Sequence, residues 1–371
     1  MKKHVLMFCF LLALCLLGCE IKQDVSAPAP ADAPETTVGL TDTAPAEETV
    51  VPTDTVAPES TPMTVAVPTP GPTSAPEPTD SPAPTDTPKP TREPREGDIT
   101  DHFPTYDTGV DADYSYQSDE LRIAIKVVED EEELQKYYVA DVWVRSLDTF
   151  RAGFGNGKFG GGTEDGELFA QREHAILAVN GSMNYGIIFH NGVKYRGFGN
   201  SDMNPGVAVV YTDGSMKVFH RTRFNVYEAM EKGIYHAWQF GPALVSDGVM
   251  TKDFPVRATR HPRIILGYYE PGHYCLVAVD GRSKTALGMT EREMAELMLE
   301  LGCREAMNLD GGTSAMMVFM GECISHPSGV DKDGDGKAGR KLKDMLLFAE
   351  YDEQGVAPAL EDVDPEKVRV P

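Results

Sequence analysis

Ala306-Met307-Asn308-Leu309-Asp310-Gly311-Gly312-Thr313-Ser314-Ala315 decides how this chain is read. Two apolar residues lead to an amide and a carboxylate, a glycine pair follows, and two hydroxyls precede a second apolar run, Met316-Met317-Val318-Phe319. This is the pattern of a buried strand that delivers Asn308 and Asp310 into a tight turn where backbone can approach a ligand closely. Taken alone, the stretch also fits an Asx-type turn between two strands. Upstream, Thr290-Glu291-Arg292-Glu293 forms a capping box. Met294, Leu297, Met298 and Leu301 then recur at helical spacing until Gly302 stops the helix. Before that helix, the apolar run Cys275 to Val279 ends in Asp280-Gly281-Arg282. Strand, helix and strand in this order predict a crossover unit with ligand groups at its strand ends.

The outer segments continue the sheet. Leu121 to Val127 and Tyr137 to Arg145 alternate apolar with polar residues on either side of the acidic turn Glu129 to Glu133, which predicts a hairpin. Ala175 to Val179 and Gly206 to Tyr211 read as further strands, and Asp213-Gly214 turns the second into Met216 to Phe219. Phe154 to Gly166 is a Gly-rich loop without the Lys-Ser/Thr ending of a phosphate-cradling loop. The expected fold class is mixed α/β (α+β), a sheet-rich single domain over residues 98–352 with flanking helices, followed by a C-terminal tail over 353–371.

The N-terminus reads as a targeting segment. Lys2 and Lys3 precede the apolar stretch Val5 to Leu17, too short to span a bilayer comfortably, and Leu16-Leu17-Gly18-Cys19 looks like a bacterial lipobox. Residues 1–18 are thus expected to be a lipoprotein signal peptide and Cys19 the lipidated residue, with an ordinary secretory signal as the alternative. A diacylated Cys19 would hold the protein at the outer face of the cytoplasmic membrane of a bacterial cell. Residues 19–97 are Pro, Thr, Ala, Ser, Asp and Glu with almost no aromatics, and most of the 27 prolines sit there. Such a stretch cannot bury enough apolar area to offset its ordering entropy, so it is expected to be a disordered tether. At about 3.1 Å per residue it would reach ~100 Å or more from the membrane.

A net charge of −24 leaves no basic face legible in the sequence and argues against nucleic acid as a partner. Any phosphate would then be met by a few positioned arginines. Cys275, Cys303 and Cys323 remain after the signal segment, an odd number in apolar settings. They read as free thiols, with a Cys303–Cys323 bridge open, and no spacing among them supports zinc. Asp331-Lys332-Asp333-Gly334-Asp335-Gly336 matches the first half of a calcium loop, but the twelfth position is Leu342; Asp344 would substitute only in a longer loop. Asp331, Asp333 and Asp335 are therefore candidate ligands of a structural Ca²⁺, against an acidic surface turn. No other cofactor is required. Ser182 and Ser314 lack a nucleophile-elbow pattern, so a serine hydrolase is a poor reading.

Five segments occur in a fixed order: Ala178-Val179-Asn180-Gly181-Ser182, Phe240-Gly241-Pro242-Ala243-Leu244-Val245, His261-Pro262-Arg263-Ile264-Ile265-Leu266-Gly267, Val279-Asp280-Gly281-Arg282 and Asn308-Leu309-Asp310-Gly311-Gly312. With them, residues from about 120 to 352 resemble the phosphodiester glycosidase family. The chain departs from the family's usual pattern at Ser182 and Thr313, where glycine is common, and at Ile264, where threonine is common; these positions bear on specificity rather than fold.

The resemblance implies a catalytic domain that hydrolyses a sugar-1-phosphodiester, releasing the sugar. A glycosidic carbon passes through an oxocarbenium-like state, so a nearby carboxylate stabilises it or attacks it. Asp310 is the first candidate and Asp280 the second. A phosphomonoester is already a good leaving group, so cations matter more than a strong general acid. The planar guanidinium fork suits phosphate oxygens, which makes Arg263 and Arg282 catalytic candidates and Arg340 a third arginine at the site. Asn180, Asn308, Gly311, Gly312, Thr313, Ser314, Arg340 and His326 are candidate substrate contacts. Without the resemblance, Asp280-Gly281-Arg282 reads rather as a simple turn with an ion pair, and Arg263 rather as a solvated strand-entry residue. The expected partner is a glycan carrying a sugar-1-phosphate diester. Two other readings stay open, an exopolysaccharide-metabolism enzyme of related fold and a non-catalytic glycan-binding lipoprotein.

Overall fold

The computed structural model describes residues 95–104, 111–198, 204–252, 259–329, 339–352, 355–364 and 367–370. All belong to the unit Ser81–Pro371. Cys19, the tether up to residue 94 and the Asp331, Asp333 and Asp335 loop lie outside the described residues.

The fold is sheet-rich and entirely antiparallel in its pairings. A nine-stranded sheet runs, edge to edge, through Val249–Met250, Ala243–Ser246, Glu305–Asn308, Arg263–Glu270, His273–Val279, Gln135–Val144, Leu121–Asp130, Tyr114–Gln117 and Val368–Arg369. The last of these falls in the segment read as a C-terminal tail, and it pairs with Tyr114–Gln117. The expected hairpin is present, with Leu121 opposite Val144 and Asp130 opposite Gln135. A second sheet orders Val193–Arg196, Ile188–His190, Ile234–Phe240, Gly206–Tyr211 and Met216–His220. A third orders Glu322–Cys323, Met317–Phe319, Leu177–Asn180, Asp344–Phe348 and Phe150–Phe154.

One apolar cluster draws on all three sheets, including Ile123, Leu266 and Met307 from the first, Val210 and Trp238 from the second, and Val179, Leu346 and Phe348 from the third. The nine-stranded sheet is covered on its other face by the helix Glu291–Glu300. Strand alternation explains how: Ile264 and Leu266 join the central cluster, while Ile265 between them packs with Met294 and Met298 of the helix. Each such fully buried side chain contributes about 1.5–3 kcal/mol. The helix starts where the capping box directs, with Thr290 Oγ1 accepting from Glu293 N at 3.2 Å and a Glu293 carboxylate oxygen accepting from Thr290 N at 2.8 Å. The three described cysteines are free thiols, and Cys303 packs beside Cys275 rather than Cys323.

The crossover unit places the site. His273–Val279 and Glu305–Asn308 both run antiparallel to Arg263–Glu270, which lies between them, so they run parallel to each other and the helix connects them. Val279 pairs with Arg263 and Asn308 with Ile265, so Asp280, Arg263 and Asp310 emerge at one edge. In the third sheet Asn180 pairs with Met345, and Val179 with Met317. The ends of these strands, with Asn180, Asp344 and Met316, meet the same turn.

Candidate active site

Asn180 shapes the Asp310 turn. Its Nδ2 donates to the main-chain oxygen of Asp310 at 2.8 Å and its Oδ1 accepts from Met316 N at 3.0 Å. Both polar atoms of this buried amide are thus used by the chain itself, and Asn180 acts on a ligand only by holding residues 310–316 in shape.

Asp310 is 8% exposed and carries the one carboxylate of that turn. Arg340 Nη2 donates to its Oδ2 at 2.8 Å, while Arg340 Nε donates to Ser314 Oγ at 2.9 Å. Burial pushes the Asp310 carboxyl above its ordinary value, opposed by the Ser314 hydroxyl and the Arg340 charge. Arg340 is also anchored by its backbone, N donating to Thr313 O at 2.9 Å.

A second carboxyl stands behind the first. Asp344 is 1% exposed and accepts from Ser182 N at 2.8 Å and Ser182 Oγ at 3.3 Å through Oδ2. Its Oδ1 is buried with no hydrogen-bond partner among the described residues. Burial and the nearby Asp310 charge push the Asp344 carboxyl up to about 6, against the stabilising Ser182 amide. Gly181 lies between them: its oxygen accepts from Asp310 N at 3.1 Å, and a Cβ there would overlap the Asp344 carboxylate. Sequence reasoning used Asp344 only as a substitute calcium ligand. The available signal was an acid heading the otherwise apolar run Met345-Leu346-Leu347-Phe348.

The chain after Ser182 is strained, with Met183 and Asn184 at φ 61° and 57°. Consecutive left-handed residues other than glycine persist only where the surroundings enforce them, and such strain gathers at ligand sites. The kink turns Tyr185 outward beside the site, its ring stacked on Phe240 and covered by Lys343 Nζ at 5.7 Å.

Asp280 and His326 form a neighbouring group. The Asp280 carboxylate accepts from His326 N at 2.8 Å, and its second oxygen lies 2.9 Å from His326 Nδ1. Tyr138, which the sequence did not single out, places its hydroxyl 3.0 Å from the same ring nitrogen. Asp280 is therefore occupied in holding His326, whose ring stays 69% exposed. These groups border a cavity of about 390 Å³ together with Lys136, Arg282, Ser283 and Ser328. The buried Ser328 hydroxyl has no partner among the described residues.

Arg282 joins the two groups. Its φ is +59°, and its guanidinium lies 3.1 Å from the position a Cβ would take on Gly312, which itself has φ +66°. Thr313, next in the turn, packs its methyl against Gly329 on the cavity rim. Arg282 makes no ion pair among the described residues. Arg263, by contrast, lies against Gly311 from behind and faces the buried Glu291 at 3.3 Å. Asn308 is buried against Gly241, its Oδ1 unpartnered among the described residues. Asn180, Arg263 and Arg282 border the Asp310 turn in different capacities, whereas Asp280 is turned towards His326. Among the described residues no group of three or more His, Cys, Asp and Glu could hold a metal ion.

Comparison with known proteins adds the family. The family model described as phosphodiester glycosidase matches residues 165–349. The SPbeta prophage-derived uncharacterized protein YomE of Bacillus subtilis is 30% identical over 175 residues, covering 44% of this chain and 27% of that protein. The N-acetylglucosamine-1-phosphodiester alpha-N-acetylglucosaminidase of Bos taurus is 33% identical over 88 residues, covering 24% of this chain and 16% of that protein. The chain thus spans about a quarter and a sixth of the lengths of these two relatives. Among solved structures, the catalytic domain of the zebrafish N-acetylglucosamine-1-phosphodiester alpha-N-acetylglucosaminidase, auto-inhibited by its pro-peptide, superposes with TM-score 0.52 at 18% identity, covering 68% of this chain and 92% of that one. That likeness supports the sheet-rich mixed α/β fold. Through residues 165–349, the chain belongs to the phosphodiester glycosidase family.

Proposed function

We propose that this chain hydrolyses sugar-1-phosphodiester links in glycans, of the N-acetylglucosamine-1-phosphodiester kind, while anchored at the bacterial cell surface through Cys19. The observation that carries the reaction is the buried Asp310 carboxylate, paired with the half-exposed Arg340 and backed by a second carboxyl, Asp344, beside a cavity that presents Arg282. The Asp310 charge raises the cost of ionising Asp344, so the two carboxyls do not titrate independently. Arg340 keeps the charge on Asp310, so Asp344 is the one that holds a proton more readily. The ionised Asp310 then faces the sugar carbon as positive charge develops there. Thr313 borders the sugar and Tyr185 offers it an aromatic face, while the candidate contact Ser314, 0% exposed, instead holds Arg340 in place. The departing phosphate enters the adjoining cavity, where Arg282, Lys136, His326 and Ser328 supply donors to its oxygens.

The test is release of free sugar by the full chain from aryl-phospho-sugar and UDP-sugar substrates, led by α-linked N-acetylglucosamine-1-phosphate diesters, beside Asp310→Asn. Release that falls by at least about 100-fold in the variant supports the reading. A folded wild type that binds glycans with no release from small or polymeric diesters would replace it with the glycan-binding alternative.

A further inference from the structure

An exposed histidine ordinarily turns freely, but His326 is held at two points by a buried acid. Asp280 is 5% exposed, and both of its carboxylate oxygens serve this one residue, one at the backbone N and the other at Nδ1. Pro327 follows and biases the His326 backbone away from helical angles. The His326 side chain is 69% exposed, so this clamp orders a ring that adds little to the core.

The clamp also sets where the ring carries its proton. An ionised carboxylate only accepts, so the 2.9 Å approach of Asp280 Oδ2 requires a proton on Nδ1. Tyr138 fits the same assignment. Its hydroxyl donates to Asp280 Oδ2 at 3.4 Å, and its oxygen lies 3.0 Å from Nδ1 as a second acceptor. Burial and the Asp280 charge hold that hydroxyl protonated, its ionisation pushed well above the ordinary value. Nε2 is then the ring atom left for a ligand, and it makes no hydrogen bond among the described residues. A histidine oriented through Nδ1 by a carboxylate is the arrangement that moves protons at Nε2 near neutral pH. The ring borders the cavity of about 390 Å³ that Arg282 and Lys136 share. Lys136 is paired in turn with Glu129, whose charge also acts on the ring.

We propose that His326 is the proton donor to the departing phosphate, with Asp280 as its positioning residue. This rests on the diester hydrolysis proposed above. As the bond from the sugar carbon to the phosphate oxygen breaks, its electron pair stays on that oxygen, and the Nε2 proton of the imidazolium moves onto it. Water takes the place of that oxygen on the sugar carbon and releases one proton to solvent, from which His326 is reprotonated. The phosphomonoester is thereby formed as a monoanion rather than a dianion, which lessens its hold on Arg282 and Lys136.

The experiment gives the full chain two donors of the same sugar, an aryl phosphodiester and the glycosyl fluoride. The diester's leaving oxygen takes a proton, whereas fluoride departs without one. In His326→Gln, kcat for the diester is expected to fall about 100-fold, while turnover of the fluoride stays within about threefold of the wild type. Asp280→Asn, which releases the ring, should lower the diester rate alone, and Asp310→Asn should lower both. Thermal melting checks the fold of each variant. Equal losses on the two donors, or no loss on either, overturn the proposal. Glutamine keeps a neutral hydrogen-bond donor, so a loss confined to KM would make His326 a phosphate contact only and overturn it too. Independently of turnover, ¹⁵N NMR should show neutral His326 protonated at Nδ1; protonation at Nε2 removes the orientation on which the proposal stands. A wild type that cleaves no diester defeats the proposed reaction and this inference together, whereas the other adverse results defeat this inference alone.

Discussion

Replacing Asp344 by asparagine should stabilise the protein at neutral pH. The side chain is 1% exposed, and its carboxyl is raised from the ordinary 3.8 to about 6 by burial first, with Asp310 adding repulsion. The sign follows from proton linkage. The folded state holds this proton more tightly than the unfolded chain does, so the fold loses stability as pH rises from about 4 through 6. The full interval corresponds to about 3 kcal/mol once Asp344 is ionised. Asparagine keeps an oxygen toward Ser182 N but puts an amide nitrogen where Oδ1 has no partner. Allowing about 1 kcal/mol for that donor leaves a net gain of about 2 kcal/mol above roughly pH 7 and no gain below about pH 4. For a domain of this size the melting temperature would rise by ~4–8 °C at neutral pH. The assay is urea and thermal unfolding of both proteins across the pH range, read as their difference, in which titrating groups not coupled to Asp344 cancel. A difference that is flat with pH, or a loss of stability at pH 7, would refute the placement of Asp344 beside Asp310.

Two further outcomes are expected. Asn180→Ala strands Asp310 O and Met316 N inside the protein and should cost about 2–4 kcal/mol in urea unfolding; Asn180→Asp should recover only the Met316 bond. His190 and His236 are held neutral by burial, His236 down at about 3 from its usual 6.5, so their contribution is intact above pH 6.5 and is lost as pH falls below it. His190→Phe keeps the stack on Phe154 and should flatten the acid limb of the stability curve by up to about 1.4 kcal/mol per pH unit.

Local rules made much of the fold readable. Alternation exposed the Leu121–Asp130 and Gln135–Val144 hairpin, and the Thr290 capping box fixed the start of the helix Glu291–Glu300. Asp310 was legible because a carboxylate, a glycine pair and a hydroxyl pair stand together in the chain. Asp344 was not, because its meaning comes from Ser182, 162 positions away. Asn180 looked like a substrate contact since nothing local shows that Met316 and Asp310 take both of its amide atoms. Arg263 read as a free phosphate ligand because the sequence cannot place the buried Glu291 against it.

Asn180 bridges the Asp310 turn to a strand of a different sheet across 130 positions, and this has a kinetic consequence. Neither sheet alone holds a working half of the centre, so the last and slowest closures of the longest loops complete it. During refolding, strand formation should be complete by circular dichroism before any catalytic competence returns. Activity would then report the docking of the two sheets, and a partly assembled chain, however rich in strand, would stay chemically silent.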